Sequence, residues 1–241
     1  MSLSEHEIVT RLKDNVARVR ERMAVAATRA GREHGARLIA VTKYVEPDVA
    51  RLLVTECELH DLAESRPQEL WRKAAALADL RDKEFVAWHL IGHLQRNKVK
   101  RTLPLHCIQS VDSLKLLEEI SHQAVAQDLH PDVLIEVNVS GDESKHGVPP
   151  DDLEPLLAGA GNLPRVFVLG LMTMAGLSGG LDGARRDFAM LRQLKESFPQ
   201  AITSNVFLQE LSMGMSGDFE IAIEEGATMV RVGSALFDGI V

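Results

Sequence analysis

The chain has little cysteine, no long apolar run and no surplus of positive charge, and each shortage removes a class of protein. Cys57 and Cys107 are the only cysteines in 241 residues, too few for a disulfide framework. Both fall in apolar, strand-like runs, which predicts reduced, buried thiols in a cytoplasmic protein. No apolar stretch approaches the roughly 18 residues of a membrane span. Met1-Ser2-Leu3-Ser4-Glu5-His6-Glu7 has neither the basic start nor the apolar stretch of a secretory signal. A net charge of −8 argues against general affinity for nucleic acid or anionic membrane. The local basic cluster of Arg96, Lys98, Lys100 and Arg101 reads as a solvated helix face. No Pro/Gly linker and no internal repeat divides the chain, so one domain is expected over residues 1–241.

What is present is alternation. Ser4 is placed to cap a helix running to about Ala30, with Ile8, Leu12, Val16, Val19 and Met23 on one face and Gly31 placed to end it. Eight short apolar runs follow: Leu38–Thr42, Cys57–Leu62, Phe85–Ile91, Cys107–Val111, Val133–Val139, Val166–Leu171, Val206–Leu208 and Thr228–Val232. Amphipathic stretches lie between them at Asp48–Glu56, Pro67–Leu80, Ser113–Gln127, Leu153–Gly159 and Ala184–Phe198. Runs such as Leu38-Ile39-Ala40-Val41 are apolar on both faces, as in a covered parallel sheet. Eight βα units in about 210 residues predict a single closed (β/α)8 TIM barrel preceded by one extra helix. An open doubly wound sheet has the weaker case, because no GxGxxG follows the first strand.

In such a barrel the site lies at the C-terminal strand ends, with phosphate commonly held after strands 7 and 8. Two Gly- and Ser-rich turns fall there: Glu210-Leu211-Ser212-Met213-Gly214-Met215-Ser216-Gly217-Asp218, and Gly233-Ser234-Ala235 after the last run. Turns that leave backbone N–H groups free before a helix cradle anions. Strand 1 must neighbour strand 8 on closure and ends in Thr42-Lys43, which puts Lys43 near the cup. An amine there can be a point charge on a phosphate or can form a Schiff base with a carbonyl. A surface lysine just past a strand is the plain alternative. Arg231, inside the last strand, needs a partner, either a salt bridge or a ligand atom facing a permanent guanidinium.

Other constellations fail. His89-Leu90-Ile91-Gly92-His93 has zincin spacing but lacks the glutamate base, so no metal is expected. Gly214-Met215-Ser216-Gly217-Asp218 lacks the final glycine of a nucleophile elbow. Met172, Met174, Met213 and Met215 read as packing around the mouth. Glu64 and Glu136 can serve as bases or as salt-bridge partners.

Ala40-Val41-Thr42-Lys43, the stretch from Trp88 to Lys98, Ser110-Val111-Asp112-Ser113, Val137-Asn138-Val139-Ser140, Gly170 to Met174, Leu211 to Glu220 and Val230 to Phe237 together resemble the pyridoxal phosphate homeostasis protein family, often called YggS-like. The matches run in order over essentially the whole chain. The resemblance implies a barrel akin to the N-terminal domain of alanine racemase, holding pyridoxal 5′-phosphate (PLP). By position it implies that Lys43 forms the internal aldimine and that Ser212, Met213, Gly214, Gly233 and Ser234 hold the phosphate. Arg231 would face the pyridine nitrogen. Where the family usually has Gly-Glu-Asn at the end of strand 2, this chain has Ala63-Glu64-Ser65, so the amide near the ring becomes the shorter, single-donor hydroxyl of Ser65. Pro67 also departs from the usual residue, and Ser234 keeps the hydroxyl of the usual threonine.

An arginine on the ring nitrogen favours the unprotonated pyridine and a weak electron sink, unlike the carboxylate of full PLP enzymes. Racemisation needs bases on both faces of the substrate carbon, and the related racemases take one from a second domain. The expected function is therefore a cofactor binder with no catalytic residue, buffering and delivering PLP, with PLP-dependent apoenzymes as partners. It is expected to be monomeric. The alternatives are a small PLP-dependent racemase or lyase, and a PLP-free Schiff-base barrel enzyme acting on a phosphorylated sugar.

Overall fold

The computed structural model describes residues 3–80, 86–142, 145–176 and 178–241. Helix α1 (Glu5–Arg29) starts at the expected cap: the Ser4 hydroxyl accepts the Glu7 N–H, and the Glu7 carboxylate accepts the Ser4 N–H at 2.8 Å. Its buried stripe of Leu12, Val16, Val19 and Met23 packs on the barrel's own outer layer. Gly31, at φ +64°, takes the left-handed conformation that ends it.

Eight parallel strands then close the barrel: β1 (Arg37–Val41), β2 (Asp61–Glu64), β3 (Ala87–Leu90), β4 (Cys107–Val111), β5 (Asp132–Glu136), β6 (Phe167–Met172), β8 (Val206–Ser212) and β9 (Met229–Val232). Closure is complete because β1 pairs with both β2 and β9, and β6 pairs with both β5 and β8. The short strand β7 (Ala201–Thr203) pairs antiparallel with β8, outside the ring of eight. Around the barrel lie α2 (Pro47–Cys57), α3 (Pro67–Ala76), α4 (Val99–Thr102), α5 (Leu114–Gln127), α6 (Leu153–Ala160), α7 (Gly180–Glu196) and α8 (Phe219–Glu224). The expected (β/α)8 barrel with a leading helix is the observed fold. Among the described residues, no helix is long and apolar enough to cross a membrane.

Several expected boundaries move. Cys57 ends α2 instead of opening a strand, because Leu53, Val54 and Cys57 continue the buried helical stripe. Glu58, at φ 51°, then breaks the helix, and β2 begins at Asp61. Strand β5 stops at Glu136, and Val137 makes only an isolated bridge to Val148. Strand β8 runs four residues past Leu208, which draws Ser212 into the sheet. Phe85, expected at the start of strand 3, lies outside the described residues. In the basic cluster Arg96, Lys100 and Arg101 are exposed and Lys98 is half-buried, as expected of a solvated face, and the Arg101 guanidinium and Lys98 amine lie 4.4 and 6.0 Å from the centre of the Trp71 ring.

The core has two layers set by the period of 2 along each strand. Ile39, Val41, Ala63, Cys107, Leu134, Met172 and Met229 fill the barrel interior. Leu38, Ala40, Leu62, Leu90, Val230 and Val232 face outward to the helices. This alternation decides which strand-end residues reach the mouth.

Candidate functional site

Along β1 the inward row is Ile39, Val41 and then, past the strand end, Lys43. Lys43 is exposed, and its amine lies 4.9 Å from the centre of the Tyr44 ring. It lines a cavity of about 380 Å³ with Tyr44, Glu64, Ser65, Arg66 and Glu69. Ser65 follows Ala63 in the inward row of β2 and is half-buried there. The last turn closes on the same place. A Cβ at Gly233 would lie 2.8 Å from a Tyr44 ring carbon and 3.2 Å from the Val41 carbonyl. The structure therefore joins Lys43, Ser65 and the final glycine turn through Tyr44, a residue that the spacing of motifs did not single out.

The two closing turns make a partly open cradle. Gly214 is at φ +94°, and a Cβ there would meet Ala222 of α8 at 2.5 Å, so both conformation and packing demand glycine. The N–H groups of Gly233 and Ala235 converge on the Ser216 hydroxyl oxygen at 3.2 and 3.4 Å. An acceptor oxygen thus stands where two backbone donors meet, the arrangement an anion oxygen requires. The N–H groups of Gly214 and Ser234 have no protein acceptor among the described residues. Ser234 itself is exposed.

Ser212 and Met213, both expected in the cup, lie beneath it. The extension of β8 turns the Ser212 hydroxyl into the barrel, where it donates to Gln109 Oε1 at 2.7 Å. The Met213 N–H is bonded to the Met229 carbonyl at 3.1 Å. Met172 and Met213 are buried, and Met174 packs on the interior cluster, but Met215 is 41% exposed and is no part of that packing.

Arg231 points into the barrel after Met229 and is 2% exposed. It makes no salt bridge among the described residues. Instead Nη1 donates to Ser212 Oγ at 2.6 Å and Nη2 to the Thr173 carbonyl at 2.8 Å. Burial pushes its pKa down to about 10, so it is still a cation at neutral pH. Its partner Ser212 continues a polar chain through the interior. Gln109 Nε2 lies 3.0 Å from His89 Nδ1, and His89 Nε2 lies 3.0 Å from Asp61 Oδ1. Asp61 can only accept, so His89 carries its proton on Nε2 and accepts from Gln109 on Nδ1. His89 therefore spends both nitrogens inside the barrel, while His93 sits on the rim beside Asp112. The two histidines of the zincin spacing thus point to different partners.

The two glutamates separate by parity. Glu64 shares the outward face of β2 with Leu62 and meets α3, where Lys73 Nζ lies 2.5 Å from its Oε1. Glu136 follows Leu134 inward to the mouth and is 4% exposed, with no side-chain hydrogen bond among the described residues. Burial pushes its pKa up to about 7, against the pull of the Arg231 charge. A raised carboxyl pKa means that the folded state holds a proton the unfolded chain has released. Stability is then fully present below about pH 4.5 and falls by about 1.4 kcal/mol per pH unit up to about pH 7. Glu136→Gln is expected to remove this loss. Thermal melts should show the variant gaining on wild type between pH 5 and pH 8, and parallel melting curves across that range would refute the assignment.

Residues 11–239 match the family model for the alanine racemase N-terminal domain. The pyridoxal phosphate homeostasis protein of Aquifex aeolicus is 45% identical over 226 residues, covering 93% of this chain and 96% of that protein. The human protein of the same name is 34% identical over 232 residues, covering 91% of this chain and 83% of its own length. PipY of Synechococcus elongatus, solved with PLP bound, superposes with a TM-score of 0.79 at 31% identity, covering 94% of this chain and 99% of that one.

Proposed function

The chain belongs to the pyridoxal phosphate homeostasis protein family, built on the alanine racemase N-terminal domain, and from that premise we propose that it holds PLP at the barrel mouth and buffers and delivers it without catalysis. The residues present fit the cofactor. The glycine cradle has donors aimed at an acceptor oxygen, and a primary amine stands across Tyr44 from it. When bound, PLP supplies an aldehyde that condenses with a primary amine and a ring that withdraws electrons from the adduct. Lys43 offers the amine. Backbone N–H groups of Gly214, Gly233, Ser234 and Ala235 hold the phosphate, with Ser216 yielding its place to a phosphate oxygen. Arg231 donates to the pyridine nitrogen, and Ser65 lies beside the ring.

One observation carries the non-catalytic reading: the buried group at the base of the mouth is an arginine, hydrogen-bonded to a hydroxyl and a carbonyl, in the place where a carboxylate would be needed to keep a pyridine protonated. A guanidinium donates and never accepts, so it leaves the ring a weak electron sink. The apolar face of α1 is spent on its own barrel, which supports a monomer. A second reading, slow proton exchange on an amino acid, is favoured by Glu136, a carboxyl at the mouth with a pKa of about 7. Incubating the PLP-loaded protein with each L-amino acid in deuterated water separates the two. No α-deuterium above the free-PLP background is expected. Exchange that Glu136→Gln abolishes would establish the second reading instead.

A further inference from the structure

We propose that the rim of the barrel carries a binding site for a borderline divalent transition-metal ion, zinc foremost, formed by His93, Asp112 and His146. His93 and Asp112 lie just past the C-terminal ends of β3 and β4, and His146 lies in the loop that follows β5. One ligand atom from each lies within 4.8 Å of the others. His93 Nδ1 is 3.1 Å and His146 Nδ1 3.9 Å from Asp112 Oδ2. Zinc bonds of about 2.0–2.2 Å in a tetrahedral site put ligand atoms roughly 3.4 Å apart. The first pair is close to that separation, and His146 Nδ1 closes the site by moving nearer to both partners. The two imidazole rings stack at 4.4 Å with 14° between their planes, so His146, on an exposed loop, has to swing out of the stack for both ring planes to meet at one ion.

Contacts of neighbouring residues fix the chain beside each ligand. A Cβ at Gly92 would lie 2.1 Å from the Ser65 carbonyl oxygen, and the Gly92 carbonyl accepts from Ser110 Oγ at 2.7 Å. His93 is thus clamped between β2 and β4. His146 precedes Gly147, at φ +108°, and Val148, whose N–H donates to the Glu136 carbonyl at 2.8 Å. Ser113 Oγ donates to Asp112 Oδ1 at 3.3 Å, leaving Oδ2 for the ion, the outer-shell support usual for metal carboxylates.

Two imidazoles and one carboxylate suit zinc and its neighbours, whereas magnesium and calcium prefer all-oxygen shells. Three protein ligands leave a position open to water or to a ligand oxygen. The side chains of His93 and His146 are 42% and 59% exposed, so an ion enters directly from solvent. None of the three is among the residues proposed to hold PLP, so the site stands independently of that reading.

The test uses the untagged full chain, stripped with chelator and titrated with zinc chloride against a chromophoric competitor, and separately with cobalt(II) read by its visible absorption. One tight equivalent is expected. His93→Gln, Asp112→Asn and His146→Gln should each weaken binding at least tenfold, and the cobalt spectrum should vanish in the His93→Gln/His146→Gln double variant. Far-UV circular dichroism and PLP uptake establish that each variant is folded. His146→Gln, on an exposed loop, decides the matter if the others unfold. Wild type binding no more tightly than the triple variant, or His146→Gln retaining full affinity, would overturn the proposal.

Discussion

Lys43→Ala is expected to abolish covalent retention of PLP completely, leaving a protein that binds the cofactor only through its phosphate and ring. The expectation follows from placement. Lys43 continues the inward row of β1 above Ile39 and Val41, and its amine sits over Tyr44, against which Gly233 closes. The visible absorption of the wild-type adduct should be absent from the variant at every PLP concentration. Borohydride treatment followed by mass measurement should fix one cofactor mass to wild type and none to Lys43→Ala. Residual affinity should be at least tenfold weaker, because the covalent bond is lost while the cradle stays intact. Stability without cofactor should hardly change, since the side chain is exposed. If the variant keeps the wild-type absorption band, another amine is the anchor and the site is assigned wrongly.

Lys73→Met is expected to destabilise the fold more than any other conservative change near the site. Lys73 and Glu64 are each 1% exposed. Lys73 Nζ donates to Glu64 Oε1 at 2.5 Å and to the Thr42 carbonyl at 2.6 Å, and the Thr42 hydroxyl donates to the same Oε1 at 2.8 Å. Removing the cation leaves a buried carboxylate uncompensated, which costs about 3–5 kcal/mol. For a chain of this size that lowers Tm by roughly 10 °C. Replacing both partners, as in Lys73→Met/Glu64→Leu, should recover most of the loss, because desolvating the pair offsets much of its attraction. The cluster also fixes Thr42, the residue before Lys43, so the single variant should bind PLP more weakly wherever it remains folded. A melt within about 2 °C of wild type would show that the pair does not hold the end of β1.

Much of this architecture was readable from periodicity. The eight apolar runs, the capped first helix and the glycine turns after the last two strands are local patterns, and local patterns report secondary structure well. The errors lie where a neighbour overrides the local pattern. Cys57 looks strand-like beside Leu59 and Leu62, yet the helix keeps it because Leu53 and Val54 bury the same face. Ser212 looks like a turn residue until β6 and β9 pair with β8 beyond Leu208 and bury it. That change moves its hydroxyl from the cup to Arg231.

One missed residue, Gln109, had a usable signal. Counting in twos from Ile39, Ala63, Leu134 and Met229 gives Lys43, Ser65, Glu136, Arg231 and Gly233 as one inward set, and it sends Glu64 outward. Gln109 follows Cys107 inward by the same rule. Parity in the sequence alone therefore separates the two glutamates. Ser216 and Lys73 had no such signal, because their roles depend on which loop or helix packs against them.

The sequence by itself determined the barrel, the place of the amine and the two glycine turns, since each rests on short-range spacing and on the requirement that strand 8 meet strand 1. Only the tertiary structure decided what the buried polar groups do. Arg231 met a hydroxyl instead of a carboxylate, Glu64 met Lys73, and Glu136 was left at the mouth with no bonding partner among the described residues. A buried polar group is defined by its partner, and partners more than a strand apart are brought together only by closure of the sheet.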